Sequence, residues 1–267
     1  MLIDELLAAV RQNQQQANVE LYIPKDWTQG RTAFGGLSAA MTYEAMASKL
    51  TDKRELRSFT TNFVGPLNTE QPFNIEVTVL RQGKNATQIE GKAMQNGNVC
   101  VLCLAVFALA RTSKIRVDNQ PKHSMALPKK PKYIPQIPKI TPKFLHHVDL
   151  AMIDGSMPFT GSKDSHIHGW MRFTKAPEKI TNAHIIALAD AWAPAPLQML
   201  RWPAPASSMS WNLEFIHPQS SISPTEWIAF QDKTIQAEDG YAHTEGHLWD
   251  PQGNLLALSR QVVGIFD

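Results

Sequence analysis

Hydrophobic residues recur at helical spacing in two stretches of the first half. The first, Leu2–Gln16, is predicted to be a short amphipathic helix whose apolar side is formed by Ile3, Leu6, Leu7 and Val10. The second, Leu37–Leu50, is rich in Ala, Met and Leu and lacks Gly and Pro, so we expect a helix there too. A strand is predicted between them, over Val19–Ile23.

Strand patterns follow the second helix. Apolar residues alternate with polar ones at Phe73, Ile75, Val77 and Val79, which is typical of a strand with one buried face. Further along, Asn96-Gly97 is a common two-residue hairpin turn, and the strand after it, Asn98–Ala110, is almost wholly apolar. The first half therefore ends in antiparallel strands.

The same order of elements returns in the second half. A strand is predicted over His168–Phe173, followed by a helix that Thr181 or Asn182 caps and that runs through Ala193, before Pro194. The strands predicted after it are Met209–Ile216, Trp227–Gln236, Tyr241–Trp249 and Leu255–Ile265.

Matching motifs indicate an internal duplication. Phe63–Pro66 corresponds to Phe215–Pro218 at an offset of 152, and the hairpin glycine Gly97 corresponds to Gly253 at an offset of 156. Each copy places one helix beside an antiparallel sheet, which is an α+β arrangement. We expect the two copies to pair edge to edge through their sheets.

A basic, proline-rich segment separates the two copies. Lys114–Lys143 contains eight basic residues, one acid and six prolines. It carries +7 and the rest of the chain −5, although the whole chain has a net charge of only +2. Such proline density excludes a regular helix, so we expect an extended linker over an acidic surface. Nucleic-acid binding is not expected, because aromatic residues are scarce and no binding motif surrounds the segment.

Composition limits the class of protein. With 267 residues, 43% of them hydrophobic, the chain is too apolar to be disordered, and no apolar run approaches the ~20 residues of a membrane span. The N-terminus does not resemble a secretion signal, so we expect a cytoplasmic protein. Cys100 and Cys103 fall on a predicted strand, where residues three apart point to opposite faces, so we expect two unpaired thiols.

Several motifs together resemble the acyl-CoA thioesterase II family. They are Arg31–Leu37, Ser58–Pro66, Val79–Lys84, Gln95–Gly97, Trp170–Arg172, Leu188–Asp190 and Pro251–Gly253. The resemblance implies a double hotdog fold, acyl-CoA as substrate, no cofactor and a homodimer or larger homo-oligomer. We place an N-terminal hotdog at 1–112, the linker at 113–164 and a C-terminal hotdog at 165–267.

The resemblance also implies a catalytic set of Asp190, Ser208 and Gln261. Asp190 has apolar neighbours on both sides in the predicted helix, which leaves no polar face for it. A buried carboxylate is unfavourable unless it is hydrogen-bonded, so this position indicates a site. The alternative is an exposed Asp on the solvent side of the helix.

The other two members carry different weight. Gln261 lies on the mostly apolar face of the last strand, where it needs a partner or neighbouring backbone to satisfy it. By simple alternation Ser208 shares a face with Ser210, Asn212 and Glu214, which could equally be a solvated face. A slip of two residues would give the hydroxyl role to Ser210.

Gly35 and Gly36 open the first-half helix, where backbone amides are unpaired and an anion is favoured. We predict that they stabilise the oxyanion of a thioester and that the site lies at the seam between the copies; tight helix packing is the other explanation. In the first half, Ser38, Leu56 and Ala105 occupy the positions of the catalytic set, which predicts one site per chain.

Other kinds of site find less support. His146-His147 and His166-x-His168 have no third ligand at a recognisable spacing, so no metal is predicted. No Gly-x-Ser-x-Gly nucleophile elbow, phosphate loop or dinucleotide motif occurs. Four residues could line an acyl pocket or belong to the core: Trp192, Met199, Trp202 and Met209.

Three functions fit these residues. A hydrolase that cleaves acyl-CoA with water activated by Asp190 is favoured. A hotdog hydratase or dehydratase commonly has a His five residues after the Asp, where this chain has Ala195. A non-catalytic acyl-CoA-binding protein is the third, because Ser208 stands where the family more usually has Thr.

Overall fold

A computed structural model describes residues 1–16, 20–118, 122–128 and 141–267. Its α-helices are α1 (Ile3–Gln15), α2 (Gly35–Ala47) and α3 (Asn182–Ala189), and short 3-10 helices cover Lys25–Trp27, Lys143–His146 and Ala195–Gln198. Val19 of the predicted first strand and Pro121, Pro131, Pro135 and Pro138 of the linker lie outside the described residues. The remainder of that predicted strand forms only a single bridge, Leu21 to Phe73.

Twelve strands lie within the described residues. The N-terminal half contributes β1 (Thr28–Gln29), β2 (Thr32–Ala33), β3 (Glu55–Phe63), β4 (Asn74–Gln82), β5 (Ala86–Gln95) and β6 (Asn98–Ala108). The C-terminal half contributes β7 (Val148–Gly155), β8 (His166–Phe173), β9 (Ala206–Phe215), β10 (Ile228–Glu238), β11 (Tyr241–Trp249) and β12 (Leu255–Ile265).

Ten of these strands form one antiparallel sheet that joins the two copies. Its order is β4-β5-β6-β3-β9-β12-β11-β10-β8-β7, so the copies meet where β3 pairs with β9. The Thr60 hydroxyl donates to the side-chain oxygen of Asn212 across this junction, at 2.8 Å. The predicted edge-to-edge pairing of two duplicated α+β units agrees with this sheet.

Helix α2 is buried on nearly every side, as its Ala- and Met-rich sequence predicts. Gly91 in β5 lets it approach the sheet, because a Cβ there would lie 2.7 Å from the side chain of Met46. Helix α3 packs beside α2 and is tied to α1, since His184 lies 3.0 Å from the carboxylate of Asp4.

Helix α3, the helix of the second copy, is shorter than the sequence predicts. It starts after Thr181, as expected, but it ends at Ala189 rather than Ala193. Pro194 explains the difference, because a proline clashes with the carbonyl four residues before it, here that of Asp190. Asp190 therefore caps the C-terminus of α3 instead of lying within the helix, with φ −99° and ψ 5°.

Two described parts of the predicted linker contact the C-terminal half. The second part contains β7, which pairs with β8 and so extends the C-terminal sheet. Within residues 122–128, Met125 packs on an apolar cluster that includes Trp170 and Trp249. The Trp170 indole donates to the carbonyl of Ala126 at 3.0 Å, and the His123 ring lies edge-on to both tryptophans. The division at 112 and 164 stays a prediction.

Candidate active site

Asp190 lies where the C-terminus of α3 meets the N-terminus of α2. Its carboxylate accepts a hydrogen bond from the backbone amide of Gly36 and another from the side chain of Gln261. Burial raises the pKa of Asp190 to about 7, although the two hydrogen bonds act in the opposite direction. The site thus combines a carboxylate from the second copy with a helix N-terminus from the first.

Ser208 forms a hydrogen bond with Gln261 as well. Its hydroxyl donates to Oε1 of Gln261 at 2.8 Å, so the amide nitrogen of Gln261 is the group that faces Asp190. The structure therefore brings the three residues of the predicted catalytic set into one hydrogen-bonded chain.

A bulge in β9 places Ser208 and Ser210 on opposite faces of the sheet. Along β12, Val263 is paired with Ser208 but Val262 with Ser210, so the register skips Met209. Paired residues share a face, which places Ser208 on the side of Gln261 and Trp211 and places Ser210 on the opposite side. Simple alternation put both serines on one face, and it was wrong because it assumed a regular strand.

Gly35 and Gly36 form the wall of the site on the side of α2. A Cβ at Gly35 would lie 2.9 Å from Oδ2 of Asp190, and one at Gly36 would lie 2.7 Å from the carbonyl oxygen of Ala187. Gly36 therefore has two effects. Its lack of a side chain allows α2 and α3 to pack closely, and its backbone amide donates a hydrogen bond to the carboxylate of Asp190. The 13-residue helix α2 directs the positive end of its dipole at this carboxylate.

The corresponding positions of the first copy hold no such set. Ser38 lies inside α2, where its hydroxyl donates to the carbonyl of Gly35 at 2.8 Å, and both Leu56 and Ala105 are buried apolar residues. Among the described residues, the carboxylate of this arrangement comes from the second copy alone.

A small cavity adjoins the site and contains a carboxylate that the sequence analysis missed. Asp232 of β10 lines it together with Thr244, Gln261 and Trp192. Burial raises the pKa of Asp232 to about 7. Hydrogen bonds from the Thr244 hydroxyl and the Lys233 backbone amide act in the opposite direction and lower it. Its position was visible in the sequence, because Asp232 alternates with Ile228 and Phe230 on the inner face of its strand.

Two sequence profiles cover most of the chain. The profile described as the acyl-CoA thioesterase N-terminal domain matches residues 23–108, and that of the acyl-CoA thioesterase C-terminal domain matches residues 122–265. The chain belongs to the acyl-CoA thioesterase family. No curated protein matches it.

Solved structures share the fold. A hotdog protein of unknown function from Alicyclobacillus acidocaldarius matches with a TM-score of 0.80 and 22% identity, over 93% of this chain and 92% of that one. An acyl-CoA thioesterase II from Mycobacterium marinum matches with a TM-score of 0.71 and 18% identity, over 88% and 90%. The predicted double hotdog fold is confirmed, and identities this low show the fold alone.

The residues considered for an acyl pocket of this thioesterase-family chain fall in different places. Trp192 is buried and lines the small cavity, whereas the side chain of Trp202 is 81% exposed. Met199 and Met209 are also exposed. A wider cavity of about 650 Å³ lies beside the ends of β3, β5 and β6, and none of the predicted catalytic residues lines it.

A group of possible metal ligands contains none of the residues of the predicted catalytic set. Asp154 of β7 brings a carboxylate to the pair that the sequence showed, 3.1 Å from His166 and 3.8 Å from His168. These three could hold a divalent ion at the sheet edge, and sequence spacing could not indicate Asp154 because it belongs to another strand. His147 instead stacks on Trp27 and pairs with Asp26.

The two cysteines are unpaired and buried. Burial raises the pKa of Cys103 to about 12 and also raises that of Cys100, which disfavours the reactive thiolate form. No helix in the described ranges combines the length and the apolar character that crossing a membrane requires.

Proposed function

We propose that the protein hydrolyses acyl-CoA thioesters to a free acid and CoA. The observation that carries the proposal is the enclosed carboxylate of Asp190, with its pKa near 7 and with Gly36 and Gln261 bonded to it. A carboxylate with this pKa is a competent general base for water at neutral pH. Membership in the acyl-CoA thioesterase family supports the substrate class.

The proposed reaction uses water as the nucleophile. Water attacks the thioester carbonyl carbon while one of its protons passes to the carboxylate of Asp190. The carbonyl oxygen becomes an oxyanion, which we assign to the Gly35 amide at the start of α2, since the Gly36 amide already donates to Asp190. The tetrahedral intermediate then breaks its C–S bond, and the CoA thiolate takes the proton from Asp190.

Ser208 and Gln261 position the water in this scheme. The Ser208 hydroxyl donates its proton to Gln261, which leaves the hydroxyl oxygen able to accept from water. The water can then donate one hydrogen to Ser208 and the other to Asp190, so its lone pair is directed at the substrate. Gln261 couples the two residues that hold the water.

The family resemblance also supports proposals about the location, the oligomeric state and the metabolic role of the protein. We propose a cytoplasmic homodimer or larger homo-oligomer that acts in lipid metabolism. Light scattering on the purified protein measures the number of subunits.

A panel of substrates tests the proposed activity. Purified protein is mixed with acyl-CoAs from acetyl to palmitoyl and a thiol-reactive dye, which reports released CoA. We expect CoA release in proportion to enzyme with at least one chain length. Absence of release with every member would contradict hydrolysis, and tight binding by calorimetry without turnover would identify the acyl-CoA-binding alternative instead.

A further inference from the structure

The mechanism proposed above leaves a second buried carboxylate unused. Asp232 is 9% exposed and faces the inner side of the sheet, where Gly246 makes room for it: a Cβ there would lie 3.0 Å from Oδ1. It accepts hydrogen bonds from the Thr244 hydroxyl and the Lys233 amide. A carboxylate has about four acceptor positions, so Asp232 can accept at least one more hydrogen bond.

Trp192, which also lines this cavity, carries an unused donor. The indole N–H of Trp192 is buried and has no hydrogen-bond partner among the described residues. The edge of its six-membered ring packs against Gly169, where a Cβ would lie 2.6 Å from Cζ2. A buried donor without a partner is unfavourable, so a ligand group that reaches this N–H would gain a hydrogen bond there.

The size of the cavity limits what that partner can be. About 10 Å³ of it can take the centre of a water molecule, which is the space of one water or one hydroxyl group. The remaining walls, from Ala189, Pro194 and Phe230, are apolar. Gln261 also lines the cavity, so a group bound there lies directly beside the proposed catalytic set.

The polar groups match a hydroxyl. A hydroxyl oxygen can accept from the Trp192 N–H while its hydrogen is donated to the Asp232 carboxylate, and a methylene or methyl group can do neither. A site with a buried donor and acceptor disfavours a substrate that leaves them unpaired. We propose that this cavity is a hydroxyl-binding subsite, which selects acyl-CoA substrates that carry a hydroxyl group on the acyl chain.

This inference rests on the proposed thioester hydrolysis, and water is the competing occupant. A bound water would satisfy Trp192 and Asp232 equally well without giving any preference among substrates. A bound water and a substrate hydroxyl are therefore distinguished by measuring the preference among substrates, because both would occupy the cavity.

The test compares butyryl-CoA with its 2-, 3- and 4-hydroxy derivatives. We expect kcat/KM for at least one hydroxy derivative to exceed that for butyryl-CoA by about tenfold or more. Asp232→Asn should reduce this ratio by about tenfold and Trp192→Phe, which keeps the ring but removes the donor, by about fivefold. Circular dichroism verifies that both variants fold.

Two exposed residues provide matched controls. Asp164→Asn and Trp202→Phe make the same chemical changes outside the cavity and should leave the ratio unaltered. The inference is overturned if no hydroxy derivative is preferred, if the preference survives both cavity variants, or if Asp232→Asn lowers the rates of all substrates equally. A lack of hydrolysis of any thioester would instead overturn the proposed function, and this inference with it.

Discussion

At the scale of single residues, Ser208 shows how a one-residue bulge changes which side chains meet. Its side chain meets Gln261 only because the register of β9 skips Met209. The composition around it, Ser207-Ser208-Met209-Ser210, contains nothing that fixes where the bulge falls. The family resemblance proposed Ser208, whereas simple alternation placed it on the same face as Ser210, which the register of β9 contradicts.

The two serines make a matched pair for mutation. Ser208→Ala removes the proposed acceptor for water and leaves Oε1 of Gln261 without its donor, so we expect kcat to fall by roughly 10- to 100-fold. Ser210→Ala, on the opposite face of the same strand, should stay within about twofold of wild type. Equal losses in both variants, or a larger loss at Ser210, would contradict the assignment.

The pKa of Asp190 predicts the pH dependence of hydrolysis. The base must be deprotonated, and burial raises its pKa to about 7 from the ordinary value of 3.8. We therefore expect kcat/KM to rise about tenfold per pH unit below 7 and to level off above it. If kcat/KM instead rose with a midpoint near pH 4, this would contradict a buried base.

Asp232 has a similarly raised pKa, so the profile is also measured in Asp232→Asn. That variant should keep the limb near pH 7. Disappearance of the limb would assign it to Asp232 and contradict the role of Asp190.

At the scale of elements, α2 and α3 meet at the proposed site. The sequence predicted the start of α3 correctly, because Thr181 caps it, but not its end. The clash that Pro194 imposes on the carbonyl of Asp190 was already inferable from the sequence. The approach of Gly36 to Ala187 was not, because it depends on how α2 and α3 pack across the two copies.

Gly36→Ala tests this packing. The added methyl would lie 2.7 Å from the carbonyl oxygen of Ala187 and 2.9 Å from Cβ of Asp190, so the helices must separate. We expect the free energy of unfolding in urea to fall by about 1–3 kcal/mol. Gly65→Ala is the control, since its methyl would meet only an ordinary contact of 3.5 Å with Val99. Similar stabilities for the two variants would contradict close packing at Gly36.

At the scale of the whole molecule, duplication accounts for the architecture. Pattern and repeat offsets in the sequence were sufficient to predict two α+β units, and the β3–β9 pairing joins them into one sheet. Contacts between segments that are far apart in the sequence could not be predicted from those patterns. Examples are the addition of β7 to the C-terminal sheet and the packing of residues 122–128 over Trp170.

The proposed site draws residues from both copies. Asp190, Ser208 and Gln261 come from the second copy, but the amide that holds Asp190 comes from Gly36 of the first. The first copy, with Ser38 in place of the carboxylate, supplies a helix N-terminus rather than a base. Each copy therefore contributes a different part of one proposed hydrolytic site.

The most direct test of this account is the rate of CoA release by Asp190→Asn, on the best substrate of the acyl-CoA panel. Asn keeps the size of the side chain but cannot act as a base, so kcat should fall by roughly 10²- to 10⁴-fold. Asp164→Asn, an exposed carboxylate changed in the same way, should remain within about twofold of wild type. A folded Asp190→Asn protein that releases CoA at the wild-type rate would contradict the central claim.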